Sequence, residues 1–155
     1  MKVALDTNVL GYAAGIGSDE VKRARAKWLL KAMRPADLVM PSQVAGEFYN
    51  ILVKKGGAPP KLARKIVEDW SRTIGLTIPT SDTMYKALEG AAFFNLQIWD
   101  ALILTIASEA SCRLLLSEDM QDGLVYRDVV VVNPFAETPH PLLTSLVESL
   151  AGAPE

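Results

Sequence analysis

Cysteine and histidine are nearly absent from this chain. Cys112 is the only cysteine and His140 is the only histidine among the 155 residues. A single cysteine excludes an intrachain disulfide, and one residue of each kind nearly excludes a zinc site built from them. Any metal ion is therefore expected to be held by oxygen ligands.

The chain also lacks a long apolar run and a charged start followed by an apolar signal stretch. No uninterrupted apolar segment approaches the roughly 20 residues that a membrane-spanning helix needs. Half of the residues are hydrophobic and 22% are charged, which suits a single globular domain with a substantial core. These features predict an intracellular, cytoplasmic protein.

Positive charge is concentrated in one part of the chain. The net charge of -2 argues, taken alone, against a nucleic-acid binder. Residues 22–72, however, hold twelve of the sixteen lysines and arginines and only four acids. A basic rim of this kind suits a polyanion, but the same cations also fit the solvent-exposed faces of amphipathic helices. The pattern leaves both interpretations open.

Short apolar runs alternate with longer helical stretches. Strands are predicted at 2–5, 38–40, 113–116 and 129–132, and helices at 19–34, 42–55, 60–74, 81–94 and 98–111. Ser42 is the predicted N-cap of the second helix. Because strands separated by helices require crossover connections, the pattern predicts an α/β fold of three layers with a central, mostly parallel sheet flanked by helices.

Two acidic residues follow predicted strands. Asp6 comes directly after the first strand, and Asp119 comes three residues after Leu116. Open parallel sheets bind ligands just beyond the carboxyl ends of their strands, so both carboxylates are candidate ligand-binding groups. Either residue could instead be only a turn or cap residue.

Two further acids lie within apolar helical segments. Glu47 shares a helical face with Val44 and Ile51, which predicts a side chain that points along the buried face. Such a glutamate ordinarily requires a buried cationic partner, and the spacing of the sequence shows none. Asp100 opens a nearly all-apolar helix, where it could serve only as a favourable helix-start charge.

Convergence of these four acids would create strong repulsion. At about 6 Å and an effective dielectric near 20, each ionised pair repels by roughly 3 kcal/mol, and the whole group by on the order of 15 kcal/mol. The group must therefore take up protons or hold a hard divalent cation. Mg²⁺ is the preferred ion, and Mn²⁺ is expected to substitute for it.

The motifs that contain these acids resemble those of PIN domains. They are Asp6-Thr7-Asn8 after an N-terminal strand, a mid-helix Glu47, Trp99-Asp100-Ala101-Leu102, and Ser117-Glu118-Asp119 after a late strand. Their order over residues 1–135 is most similar to VapC-type toxins of toxin–antitoxin pairs. The resemblance implies a PIN-like α/β domain, Mg²⁺-dependent ribonuclease activity on an RNA substrate, homodimerisation, and inhibition by a small antitoxin protein.

The resemblance also implies roles for individual residues. The catalytic acids are Asp6, Glu47, Asp100 and Asp119, of which the metal ligands are Asp6, Asp100 and Asp119. Glu47 is expected to position the ion through its hydration shell or to deprotonate the attacking water. The residues expected to orient these carboxylates are Thr7, Asn8 and Ser117. Asp122 is either an outer ligand or a turn residue before Gly123.

The remaining residues, 136–155, form a predicted C-terminal tail with a possible short helix at 142–150. Aromatic side chains on the predicted helices are expected mostly in the core, with any surplus at a dimer interface or an antitoxin groove. These residues are Trp28, Phe48, Tyr49, Trp70, Phe93, Phe94 and Trp99.

Other classes of protein place acids at strand ends. A receiver-like phosphoacceptor needs a late lysine, but residues 114–155 contain none, and a haloacid-dehalogenase-like phosphatase needs an aspartate where this chain has Asn8. The stronger alternative is a PIN-like module that binds RNA or protein during RNA processing without cleaving. The repulsion of an intact acidic quartet argues against that alternative, because a binding module has no use for it.

Overall fold

The computed structural model describes residues 1–151, apart from the side chains of Ala36 and Ala151. Its strands are β1 (Lys2–Leu5), β2 (Leu38–Pro41), β3 (Leu76–Thr77), β4 (Cys112–Leu116), β5 (Val125–Tyr126) and β6 (Val129–Val132). Its helices are α1 (Thr7–Ala13), α2 (Glu20–Ala32), α3 (Ser42–Lys54), α4 (Pro60–Ile74), α5 (Ser81–Phe94), α6 (Ile98–Glu109) and α7 (Pro141–Ala151).

The six strands form one sheet in the order β3-β2-β1-β4-β6-β5. All neighbours are parallel except β5, which runs antiparallel to β6. The central strand β1 is buried from Val3 to Leu5, as expected for a parallel sheet covered on both faces. The predicted α/β fold with a mostly parallel central sheet is therefore confirmed, and the carboxyl ends of β1, β2, β4 and β6 lie at one edge.

Helix α6 lies within the core. Every residue from Ala101 to Ala107 is buried. The Thr105 hydroxyl bonds to the carbonyl oxygen of Ala101 at 2.7 Å and to the Tyr126 hydroxyl at 2.8 Å, which satisfies the polar atoms on this helix. Asp100 lies in the first turn of α6, directly before this buried part of the helix, which anchors it.

The sequence analysis did not predict three of these strands and helices. Strands β3 and β5 have two residues each, and α1 has seven, so none shows a measurable hydrophobic period. The predicted N-cap at Ser42 is wrong. Strand β2 continues to Pro41, which is itself the N-cap residue, and Ser42 is already the first residue of α3, without a side-chain capping bond.

The aromatic residues divide between core and surface. Phe48 is fully buried and packs on Trp70 with ring centroids 5.1 Å apart. Trp28, Phe93, Phe94 and Trp99 are 41%, 81%, 38% and 55% exposed, so the expectation of core packing is wrong for these four. A helix with apolar residues on several faces can bury only the face that meets the sheet.

The C-terminal segment adds to the same core. Leu143 and Leu146 of α7 are buried in the main cluster that surrounds the sheet. The last four residues of the predicted tail, 152–155, lie outside the described residues.

The described residues contain no single helix that is both long enough and apolar enough to cross a membrane. Helices α5 and α6 meet the length and composition criteria only as a pair, bent by 119°.

Candidate active site

Asp6 lies at the junction of β1 and α1 and caps the helix. Its Oδ1 accepts a hydrogen bond from the Thr7 backbone N–H at 2.7 Å, and its Oδ2 accepts one from the Ser117 hydroxyl at 2.5 Å. The residue is only 6% exposed. Burial is the largest cause that raises its pKa to about 6, and the negative charges of Asp119 and Glu47 add to this, while the two hydrogen bonds oppose it.

Glu47 reaches the same edge of the sheet from the middle of α3. Its Oε2 accepts a hydrogen bond from the Thr7 hydroxyl at 2.7 Å, and its Oε1 accepts one from the Gln43 amide at 3.2 Å. Both donors are neutral, so they orient the carboxylate without cancelling its charge.

Asp119 lies in the loop after β4 and is oriented from two sides. Its Oδ2 accepts a hydrogen bond from the Asn8 amide at 3.0 Å. The Ser117 hydroxyl oxygen accepts from the backbone N–H groups of Asp119 and Met120 at 3.2 and 3.3 Å. Ser117 therefore links the conformation of this loop to the carboxylate of Asp6, to which it donates.

Asp100 is the third residue of α6 and is half-buried. No hydrogen bond to its carboxylate occurs among the described residues. Burial is the first cause that raises its pKa, followed by the charges of Glu47 and Asp119.

The four predicted acids lie on four separate segments of the chain. The negative charges of Glu47 and Asp119 add to burial in raising the pKa of both Asp6 and Asp100. Within residues 1–151, none of the four forms an ion pair with a lysine or arginine. Their mutual repulsion is therefore not relieved by a protein cation.

The donor chemistry of this cluster fits a hard divalent cation. All the groups are oxygen donors, and the amide oxygens of Asn8 and Gln43, whose NH₂ groups bond to Asp119 and Glu47, are buried without a protein partner. Hard cations and their bound waters are held by such oxygens. In the described part of the chain, however, no three acidic, cysteine or histidine side chains lie close enough together to ligate one ion. Asp6, Glu47 and Asp119 each accept a hydrogen bond from a neutral donor instead.

Asp122 contacts the backbone at the end of β6. Its exposed side chain accepts a hydrogen bond from the Asn133 backbone N–H at 2.7 Å, and Gly123 follows it with a φ of 80°. This contact joins the β4 loop to the end of β6, and it agrees with the interpretation of Asp122 as a turn residue.

The sequence analysis missed several polar residues at the site. Gln43 bonds to Glu47 one helical turn later, and this i, i+4 spacing was a readable signal. Glu118 accepts hydrogen bonds from the Tyr12 hydroxyl at 2.8 Å and from Lys22 at 2.7 Å. Tyr12 and Lys22 are distant in sequence from Glu118, so nothing in the sequence signalled that pair of contacts.

Some of the basic residues of 22–72 pair with acids on an exposed helix face. Arg64 pairs with Glu68 and Lys65 with Asp69 along the exposed side of α4, which agrees with the interpretation as a solvent-exposed helix face. Lys55 follows α3 and lies beside the acidic cluster.

Residues 3–121 match the family model of the PIN domain. This match covers most of the chain, so the protein belongs to the PIN domain family, as the motifs predicted. No curated protein sequence matches the chain significantly.

Solved structures share this fold at low sequence identity. A toxin–antitoxin complex from Klebsiella pneumoniae aligns with a TM-score of 0.65 at 19% identity, over 86% of this chain and 98% of that one. The sarcin–ricin loop cleaving toxin VapC20 of Mycobacterium tuberculosis aligns with 0.61 at 15%, over 76% and 92%. The FitAcB structure from Neisseria gonorrhoeae aligns with 0.59 at 17%, over 86% and 98%. At these identities the likeness shows a common fold.

Proposed function

We propose that this PIN domain protein is a metal-dependent endoribonuclease. The supporting observation is that the charges of Glu47 and Asp119 add to burial in raising the pKa of both Asp6 and Asp100, while none of the four acids has an ion-pair partner among residues 1–151. A module that only bound RNA or protein would gain nothing from this repulsion. Mg²⁺ is the proposed cofactor, with Asp6, Asp100 and Asp119 as its ligands and Mn²⁺ as a substitute.

When bound, the ion would neutralise the carboxylates, polarise the phosphodiester and acidify a water molecule. The protein residues orient the reacting groups. Glu47, held by Thr7 and Gln43, accepts the proton of the attacking water. Asn8 holds Asp119, and the Ser117 hydroxyl lowers the pKa of Asp6 against the effect of burial. This bond favours the charged form of Asp6 that a cation requires.

We further propose that the protein is the toxin of a type II toxin–antitoxin pair, acting on RNA in the cytoplasm and inhibited by a small antitoxin. The support is the similarity in fold to a toxin–antitoxin complex and to a toxin described as cleaving the sarcin–ricin loop. We also propose a homodimer, because large apolar side chains on α5 and α6 are exposed, and patches of this kind mark interfaces. These are Tyr85, Leu88, Phe93 and Trp99.

The proposed activity is tested by incubating the protein with tRNA and structured RNA in Mg²⁺, in Mn²⁺ and in EDTA. We expect cleavage with either ion and none in EDTA. Asp6→Asn and Asp100→Asn are expected to abolish cleavage while a cooperative unfolding transition is retained. Asp122→Asn is the control, because its carboxylate bonds to the Asn133 backbone, and it should remain active. Cleavage in EDTA, or retained in both site variants, would remove the assignment.

A further inference from the structure

A small cavity opens directly beside the acidic cluster and has no part in the proposed cleavage chemistry. It has a volume of about 200 Å³, and it shares Asn8 and Asp119 with the cluster. Any group in this cavity therefore adjoins the position of the cleaved phosphodiester. The other walls come from α1, from the loop that follows it and from the end of α3.

Part of the cavity wall is apolar or aromatic. This part is formed by Tyr12, Ile16 and Ile51. The Tyr12 hydroxyl donates to Glu118 at 2.8 Å, and Glu118 in turn pairs with Lys22 at 2.7 Å. The hydroxyl end of Tyr12 is thus tied to an ion pair, which restrains this wall of the cavity.

Two glycines keep the cavity open. A Cβ atom at Gly11 would come within 2.6 Å of the Ile51 side chain, and one at Gly17 would lie 3.1 Å from the Tyr12 ring. Gly17 also has a φ of 91°, a conformation that other residues rarely adopt. Larger residues at either position would push the walls inward or strain the loop.

A single cation lies at the rim. Lys55 lines the cavity and is exposed, and it forms no ion pair among residues 1–151. Its neighbour Lys54 is also exposed but does not line the cavity. The lining also carries the carboxylates of Glu118 and Asp119, of which Glu118 is paired with Lys22. Lys55 is thus the one cation of a lining that is partly apolar and partly polar, and it adjoins the proposed metal ligand Asp119.

We propose that this cavity receives the nucleobase next to the cleaved bond and that Lys55 contacts the adjoining phosphate. Single-stranded RNA is recognised by bases turned out of the stack against aromatic and apolar side chains. Lysine supplies sequence-independent affinity for phosphate. The cavity is smaller than the roughly 300–1,000 Å³ of drug-sized ligand sites, so it admits one base. The inference rests on the proposed ribonuclease activity and assigns part of its specificity.

Cleavage of total bacterial RNA, followed by sequencing of the product ends, tests the base site. We expect the wild-type protein to favour certain bases at one position beside the cut. Ile51→Phe fills the cavity and should erase or change that preference while cleavage continues. Ile16→Phe fills it from the opposite wall and serves if Ile51→Phe does not fold, as judged by thermal unfolding.

The salt dependence of KM tests the phosphate contact. Each phosphate contact with a single strand contributes about 0.7 to the slope of log affinity against log salt. Lys55→Gln should therefore reduce this slope by about 0.7 and leave kcat unchanged. Lys54→Gln removes the same charge one residue away and should leave the slope nearly unaltered.

Several results would overturn the inference. Equal effects of Lys54→Gln and Lys55→Gln on the salt slope would do so. A wild-type enzyme without base preference beside the cut, or an unchanged preference in the filled variants, would do so as well. If Asp6→Asn abolishes the metal-dependent cleavage but the cavity variants leave base preference and salt dependence unchanged, this inference alone would be overturned. Absence of RNA cleavage by the wild-type protein would overturn the proposed function with it.

Discussion

The hydroxyl of Thr7 donates a hydrogen bond of 2.7 Å to Oε2 of Glu47, joining the first residue of α1 to the middle of α3. The two residues are 40 positions apart in the sequence. The contact orients the one acid of the cluster that is not a proposed metal ligand. It also ties the strand-to-helix junction at Asp6 to a second layer of the fold.

Replacement of Thr7 by valine should impair cleavage without unfolding the protein. Valine has nearly the same shape but lacks the hydroxyl, and a hydrogen bond to a charged group contributes about 1.5–3 kcal/mol. We expect kcat to fall by roughly tenfold to a hundredfold. Thr7→Ser retains the donor and should keep most of the activity. Equal activity of Thr7→Val and the wild type would show that this bond does not position Glu47 for catalysis.

Asp6→Asn should stabilise the metal-free protein at neutral pH. Burial, the largest cause, raises the pKa of Asp6 from 3.8 to about 6, so the protonated form favours the folded state. In the wild type, the stabilisation of the folded state by protonated Asp6 is complete below about pH 4 and is lost as the pH rises through 6. The gain in unfolding free energy of Asp6→Asn over the wild type should therefore be larger at pH 7 than at pH 4, by up to about 3 kcal/mol.

Urea denaturation in EDTA at the two pH values measures this difference. Asp128→Asn, at an exposed aspartate, is the control and should shift stability little at either pH. A gain for Asp6→Asn that is the same at pH 4 and pH 7 would contradict the raised pKa.

Two glycines inside helices should respond oppositely to alanine. A Cβ atom at Gly90 would overlap the hydroxyl end of Tyr126, which is fully buried and bonded to Thr105. Gly90→Ala should therefore destabilise the protein by about 1–3 kcal/mol. Gly46 is exposed in α3, and a Cβ there meets no atom, so Gly46→Ala should stabilise by up to about 1 kcal/mol.

The midpoints of chemical denaturation compare the two variants. If Gly90→Ala were as stable as Gly46→Ala, the close packing of α5 on Tyr126 would be ruled out.

The exposed apolar residues of α5 and α6 should carry the dimer contact. Phe93 is 81% exposed, and a carboxylate at its position would be desolvated in an apolar interface. Light scattering at micromolar concentration should give the mass of two chains for the wild type and of one chain for Phe93→Asp. Val21→Asp, at an exposed valine of α2, should remain dimeric. A wild-type mass of one chain would contradict the proposal.

The sequence predicted the long elements well and the short ones poorly. The helix at 60–74 appears with the expected bounds because its periodicity extends over 15 residues. The four-residue strand at 129–132 does so because it consists of valines, which favour strands. Strand β3 exists only because its two residues pair with β2 at Met40 and Pro41. A pairing of that kind depends on the neighbouring strand and leaves no local pattern.

The candidate site divides in the same way. The apolar surroundings of Asp6, Glu47, Asp100 and Asp119 marked these acids as unusual, and their roles in catalysis stay predictions. No local pattern indicated that Lys22 would pair with Glu118, 96 residues later.

The sequence by itself determined the α/β architecture, the PIN family and the all-oxygen character of the acidic site, because hydrophobic period and residue type are local properties of a chain. Only the tertiary structure decided which neutral donors hold Asp6, Glu47 and Asp119, that Asp122 bonds to the backbone after β6, and that a cavity lies beside Asp119. These features depend on distances between segments far apart in sequence, and packing of the helices on the sheet fixes those distances.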